Sequence, residues 1–104
     1  RTATVSHEVE AYIVRLVRAT REHPDLQLGA SPRASVALYR AAQAAAFLAG
    51  RDFVLPDDVA ALVGPVLTHR LVVDVDRELR GATAAEALTG IVGQVPVGVG
   101  AGTG

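Results

Sequence analysis

The run Gly29, Ala30, Ser31, Pro32, Arg33, Ala34 is where residue types and order in this chain are best suited to meet an anion. Ser31 suits a helix N-cap and Pro32 the first helical position, so Arg33 arrives in the first turn of a helix. A helix start carries about half a positive charge and unsatisfied amides, and an Arg there adds a full charge on a planar fork of donors. That is a geometry for phosphate. Arg40 lies about two turns further on, close to the same face. Spacing alone leaves two readings open: an Arg aimed at an anion, and an exposed Arg on a well-capped helix.

Other candidates carry less. His7, His23 and His69 each lack a second ligand at metal-binding spacing, and no metal site is expected. Ser6 beside His7 reads as a cap ahead of a solvent-facing residue. Asp57 and Asp58 read as acids at the positive end of a helix dipole, not as a general acid and base pair. The chain contains no Lys, so it cannot hold a Walker A loop, and no apolar strand ends in paired acids of the Walker B kind.

Composition bounds the partners. All ten basic residues are Arg, and eleven acidic residues bring the formal charge to -1, so no net field draws the chain toward nucleic acid. The absence of Cys removes disulfides and thiolate sites and fits a reducing cytoplasm. No apolar run approaches the roughly 20 residues of a membrane span, and no signal peptide is evident. The chain reads as soluble. Its start at Arg1 without Met suggests a piece of a longer protein, or processing.

The elements that must position Arg33 follow from periodicity. Val9, Tyr12, Ile13, Leu16 and Val17 mark one face of a first helix, from about Ser6 to Arg21. Pro24 stops it, and the residues to Gly29 are expected to form a loop. The second helix runs from Pro32 to a left-handed stop at Gly50, with Ala34, Leu38, Ala41, Ala45 and Leu48 as its buried stripe. Phe53 is expected to plug the core. A third helix begins at Pro56 and buries Val59, Leu62, Val63, Val66 and Leu67, with a kink or early stop near Val63 because of Gly64 and Pro65. Leu71 to Val75 reads as a short extended segment. Thr83 and Glu86 form a capping-box pair ahead of a final helix from about Ala84 to Val92. The result is a mainly α, small four-helix domain over residues 1–93, with a possible short β element after the third helix and a Gly-rich flexible tail over 94–104.

The same residues carry a resemblance. The Gly29 to Ala34 run resembles the sensor 2 motif in the C-terminal lid of MoxR-type AAA+ ATPases, a branch related to the magnesium chelatase ATPase subunit. The Thr20 to Pro24 segment is similar to the family's residues ahead of that motif. Gly50 to Val54 with Pro56 to Val59 resembles its turn into the next helix, and Val66 to Leu71 its later Val-Leu-x-His-Arg-Leu element. The likeness covers roughly Val5 to Val73 in order. Leu55 departs from it, standing where the family often places a Thr cap.

The resemblance implies a lid that follows a P-loop domain and closes over ATP with Mg²⁺, with Arg33 facing the γ-phosphate and Ser31 and Pro32 beside it. It also implies a hexameric ring, chaperone-like remodelling of client proteins and a possible von Willebrand factor A domain partner. Arg51 and Arg70 fall within the resemblance, but their partners cannot be read from sequence. Without Walker A and B, this chain is expected not to hydrolyse ATP alone. The competing reading is a free-standing helical adaptor that binds a protein or nucleic-acid partner through its Arg-bearing face.

Overall fold

A computed structural model describes residues 2–97. In chain order the elements are α1 (His7–Glu22), β1 (Leu26–Leu28), α2 (Pro32–Leu48), α3 (Pro56–Leu67), a 3₁₀ turn (Thr68–Arg70), β2 (Val72–Val73), α4 (Val75–Leu79) and α5 (Ala84–Gln94). The mainly helical class is as expected, and no helix among the described residues is long and apolar enough to cross a membrane.

α1 starts where a hydroxyl can take an orphan amide: Ser6 Oγ accepts from the Val9 amide at 3.2 Å. All five residues of its expected face are buried. α2 packs most extensively on α3. Its buried residues are Ala34, Leu38, Ala42 and Ala46, a row at four-residue spacing in which Ala permits close approach. The expected stripe is therefore corrected from Ala41 onward: Ala41 and Ala45 are only half-buried, and Ala42 and Ala46 take the inward positions. Leu48 is 83% exposed, because it lies two residues past Ala46, off the buried row.

α2 ends as its sequence suggests. Gly50 takes a positive φ of 83°, the Arg51 amide donates to the Ala46 carbonyl, and the Gly50 amide donates to that of Phe47, the paired bonds of a Schellman turn. The chain then runs extended beside Thr4, whose amide donates to Asp52 O and whose carbonyl accepts from the Val54 amide. Successive side chains of an extended segment point to opposite sides. Val54 fills the core, whereas Phe53 is 51% exposed and does not plug it.

α3 continues past Gly64 and Pro65 to Leu67, so there is no early stop at Val63. Pro65 removes one ladder donor, but Val63 and Leu67 lie on the buried face on either side of it. The residues between α1 and α2 are not wholly loop. Leu26–Leu28 pairs antiparallel with Val72–Val73, giving the expected β element after α3 a partner that was not foreseen.

α4 is also additional to the four expected helices. Asp74 caps it by accepting from the Arg77 amide at 3.2 Å, and Arg77 reaches back to Asp25 at 3.0 Å. α5 is capped by Thr83, which accepts from the Glu86 amide, and buries Ala87, Leu88 and Ile91. It extends to Gln94, the first residue of the expected tail; residues 98–104 of that tail lie outside the described residues.

Candidate functional site

Arg33 is the second residue of α2, and its side chain is exposed. None of the hydrogen bonds or ion pairs among the described residues uses its guanidinium; the two ion pairs belong to Arg51 and Arg77. Ser31 has the extended backbone of an N-cap, but its hydroxyl makes no capping hydrogen bond, contrary to expectation; only its carbonyl turns inward, toward the Ala34 amide at 2.9 Å. Pro32 has no amide, and the Arg33 amide, at the second helical position, has no acceptor within the helix. The exposed Ser31 hydroxyl and the Arg33 amide and guanidinium thus remain available on one helix start.

The loop that delivers this helix start is held by α1. Thr20 is fully buried; its hydroxyl donates to Val17 O at 2.6 Å and accepts from the Ala30 amide at 2.9 Å. Arg21 Nε donates to the Ala30 carbonyl at 3.0 Å, so both polar backbone groups of Ala30 are tied to consecutive residues of α1. Gly29 makes the approach possible. A Cβ there would lie 2.6 Å from the Arg21 amide nitrogen and Cα, closer than a side chain permits. Ala30 and Ala34 are buried on either side of the exposed Ser31, Pro32 and Arg33. Thr20 and Arg21 thus belong to the site as positioning residues, a role their sequence positions alone do not reveal.

Two further Arg residues stand at the same place. Arg33, Arg40 and Arg70 border an open hollow of about 440 Å³, with Val36 and Ala37 as its remaining lining and no carboxylate among its walls. Arg70 comes from the 3₁₀ turn after α3, and its Nε donates to Val66 O at 3.1 Å.

Arg51 is instead internal. Its two terminal nitrogens each lie 2.7 Å from an oxygen of Asp58, and one also donates to Phe53 O. Hydrogen bonding to Arg51 holds the Asp58 carboxyl below the ordinary carboxylate range, more strongly than partial burial raises it, and the Leu55 amide adds to the lowering. The same bond holds Arg51 more firmly protonated. Asp58 accepts from the Leu55 amide at 2.7 Å, the half of a capping box that survives without a hydroxyl at Leu55.

The other candidates take structural places. His23 Nδ1 accepts from the Asp25 amide at 3.0 Å, His7 and His69 are exposed, and no group of three metal-ligating side chains occurs among the described residues.

Comparison with known proteins identifies the family and the fold. The family model described as the AAA lid domain matches residues 18–91. The uncharacterized protein YeaC of Bacillus subtilis is 43% identical over 91 residues, covering 88% of this chain and 28% of that protein. The protein named Chaperone MoxR1 of Mycobacterium tuberculosis is 42% identical over 81 residues, covering 69% of this chain and 22% of its own length. A crystal structure of a candidate ATPase from Cytophaga hutchinsonii superimposes with a TM-score of 0.88 at 33% identity, over 92% of this chain and 32% of that one. The chain thus spans about a fifth to a third of the length of these proteins.

Proposed function

This chain belongs to the AAA lid domain family, and on that premise we propose that it closes over ATP and Mg²⁺ held by a preceding P-loop domain, with Arg33 turned to the terminal phosphate. The observation that carries the reading is the exposed, ion-pair-free guanidinium of Arg33 on a helix start whose incoming loop is pinned to α1. A cation fixed at that point stabilises negative charge on a phosphoryl group in transfer, and an Arg so placed is worth on the order of a thousandfold or more in rate. Ser31 and Pro32 shape the approach. Ser31 offers a free hydroxyl, and Pro32 presents no amide.

Loss of the terminal phosphate removes the partner of Arg33, and the lid turns relative to the nucleotide domain. In a hexameric ring such a turn is passed to the neighbouring subunits. The work done is chaperone-like remodelling of client proteins in the cytoplasm, with a von Willebrand factor A domain protein as a partner. The likeness to a protein named as a chaperone supports the last step.

The test is Arg33→Ala in the protein that carries this chain together with its nucleotide-binding domain. Turnover is expected to fall at least a hundredfold, with the helical content and assembly state unchanged. Unchanged turnover rejects the role of Arg33.

A further inference from the structure

We propose that Arg33, Arg40 and Arg70 form one cradle for an oligophosphate anion, in which Arg40 and Arg70 contact phosphate directly. The inference rests on the lid reading and extends it to two residues that nothing so far assigns. Arg33 and Arg40 project from one face of α2, about 10 Å apart along the helix axis. Arg70 enters from a different element, the turn after α3, and the three side chains border the same hollow. Three guanidinium groups beside one another repel. The chain carries eleven acidic residues against ten basic ones, yet none of the eleven lines this hollow. Arg51 and Arg77 are paired with Asp58 and Asp25, whereas these three have no carboxylate partner among the described residues. An anion between them removes the repulsion and supplies acceptors for the free forks.

Arg70 is the most constrained of the three. Its Nε donates to Val66 O, which anchors the guanidinium and leaves both terminal nitrogens to donate. The side chain of Arg40 makes no hydrogen bond among the described residues and also borders the adjoining hollow that contains Glu10, without an ion pair to it. Three forks together carry more N–H donors than the oxygens of one phosphate accept, and two of them start about 10 Å apart along α2, so the set fits several phosphates in series. The floor of Val36 and Ala37 offers no side-chain hydrogen bond, leaving recognition to the three Arg residues.

The experiment titrates the 104-residue chain with inorganic tripolyphosphate, pyrophosphate and orthophosphate at low ionic strength, following backbone and Arg Nε resonances by NMR. Tripolyphosphate is expected to bind tightest and to shift signals at Arg33, Arg40 and Arg70 together. Arg40→Gln and Arg70→Gln are each expected to weaken it roughly tenfold, with the thermal midpoint of Arg40→Gln unchanged. Arg40→Gln keeps the result independent of any change at the α3 terminus caused by losing the Arg70 bond.

Shifts elsewhere, no binding, or affinity in both variants unchanged from the parent chain overturn the proposal. So does a poly-glutamate peptide that binds as tightly at equal charge, which reassigns the surface to an acidic protein. Weakening confined to Arg33→Gln overturns the cradle and leaves the Arg33 reading intact. Conversely, full ATPase turnover in Arg33→Ala, with tripolyphosphate binding retained in the chain, rejects that reading and not the cradle.

Discussion

The hydroxyl of Thr20 accepts the Ala30 amide at 2.9 Å while donating to the Val17 carbonyl, so a buried side chain on α1 fixes the backbone three residues before Arg33. Replacing Thr20 with Val keeps the shape and leaves the Ala30 N–H buried without an acceptor. The expected loss of stability is about 1–3 kcal/mol by urea titration, with Thr20→Ser recovering most of it. Equal stability of the Val and Ser variants would show that the hydroxyl contributes only volume.

Gly29→Ala tests the close approach. The new Cβ would meet the backbone of Arg21 at 2.6 Å, and backbone cannot swing aside as a side-chain tip can. The loop must back away from α1, breaking the bonds to Ala30, and a cost of about 1–3 kcal/mol is expected. Faster hydrogen exchange at the Ala30 amide is the specific signature. Protection as in the parent protein would place the strain elsewhere.

Acid should weaken the link between α2 and α3. The folded Asp58 carboxyl is held below its ordinary value of about 3.9, chiefly by hydrogen bonds from Arg51, so its contribution is present above that value and lost as pH falls through the lower folded one. Asp58→Asn is expected to be less stable at neutral pH by about 1 kcal/mol, the size of a lost helix-start bond, and to lose less than the parent on acidification. Parallel stability curves for the two proteins between neutrality and pH 2 would remove Asp58 from the account.

Burial, not hydrophobicity, separates the two ends of α2. Leu38→Ala, at a site with no exposure, is expected to cost about 2–5 kcal/mol, whereas Leu48→Ala should stay within about 0.5 kcal/mol. Thermal melts of both variants compare them directly. A large loss at Leu48 contradicts its position on the surface.

These sites also show how far sequence could be followed. The face of α1 was legible because five apolar residues repeat at helical spacing, and the limits of α2 because Pro32 and Gly50 have local backbone preferences. Features that depend on a distant partner were not. β1 has three residues and α4 five; each is held in part by contacts near Asp25, whose carbonyl accepts from Asp74 and whose carboxylate meets Arg77. The outward turn of Phe53 follows from pairing with Thr4, about fifty residues away. Arg33 was legible as a local motif, whereas Thr20 was legible only as the start of a similar segment, with nothing local to show its bond to Ala30. Arg40 and Arg70 come together only once α3 has packed on α2.

The turn after α2 has a mechanical meaning. Arg51 closes the Schellman turn through its amide, donates to Phe53 O and holds both oxygens of Asp58, in the first turn of α3, through its side chain. With its fork so engaged, this corner is braced like a gusset plate, and α2 and α3 are expected to move as one body. A displacement of α2 is then expected to carry α3 with it. Residual dipolar couplings from the two helices should fit one alignment tensor in the parent protein and two once Arg51 is replaced by Ala; two tensors in the parent would mean that the corner bends.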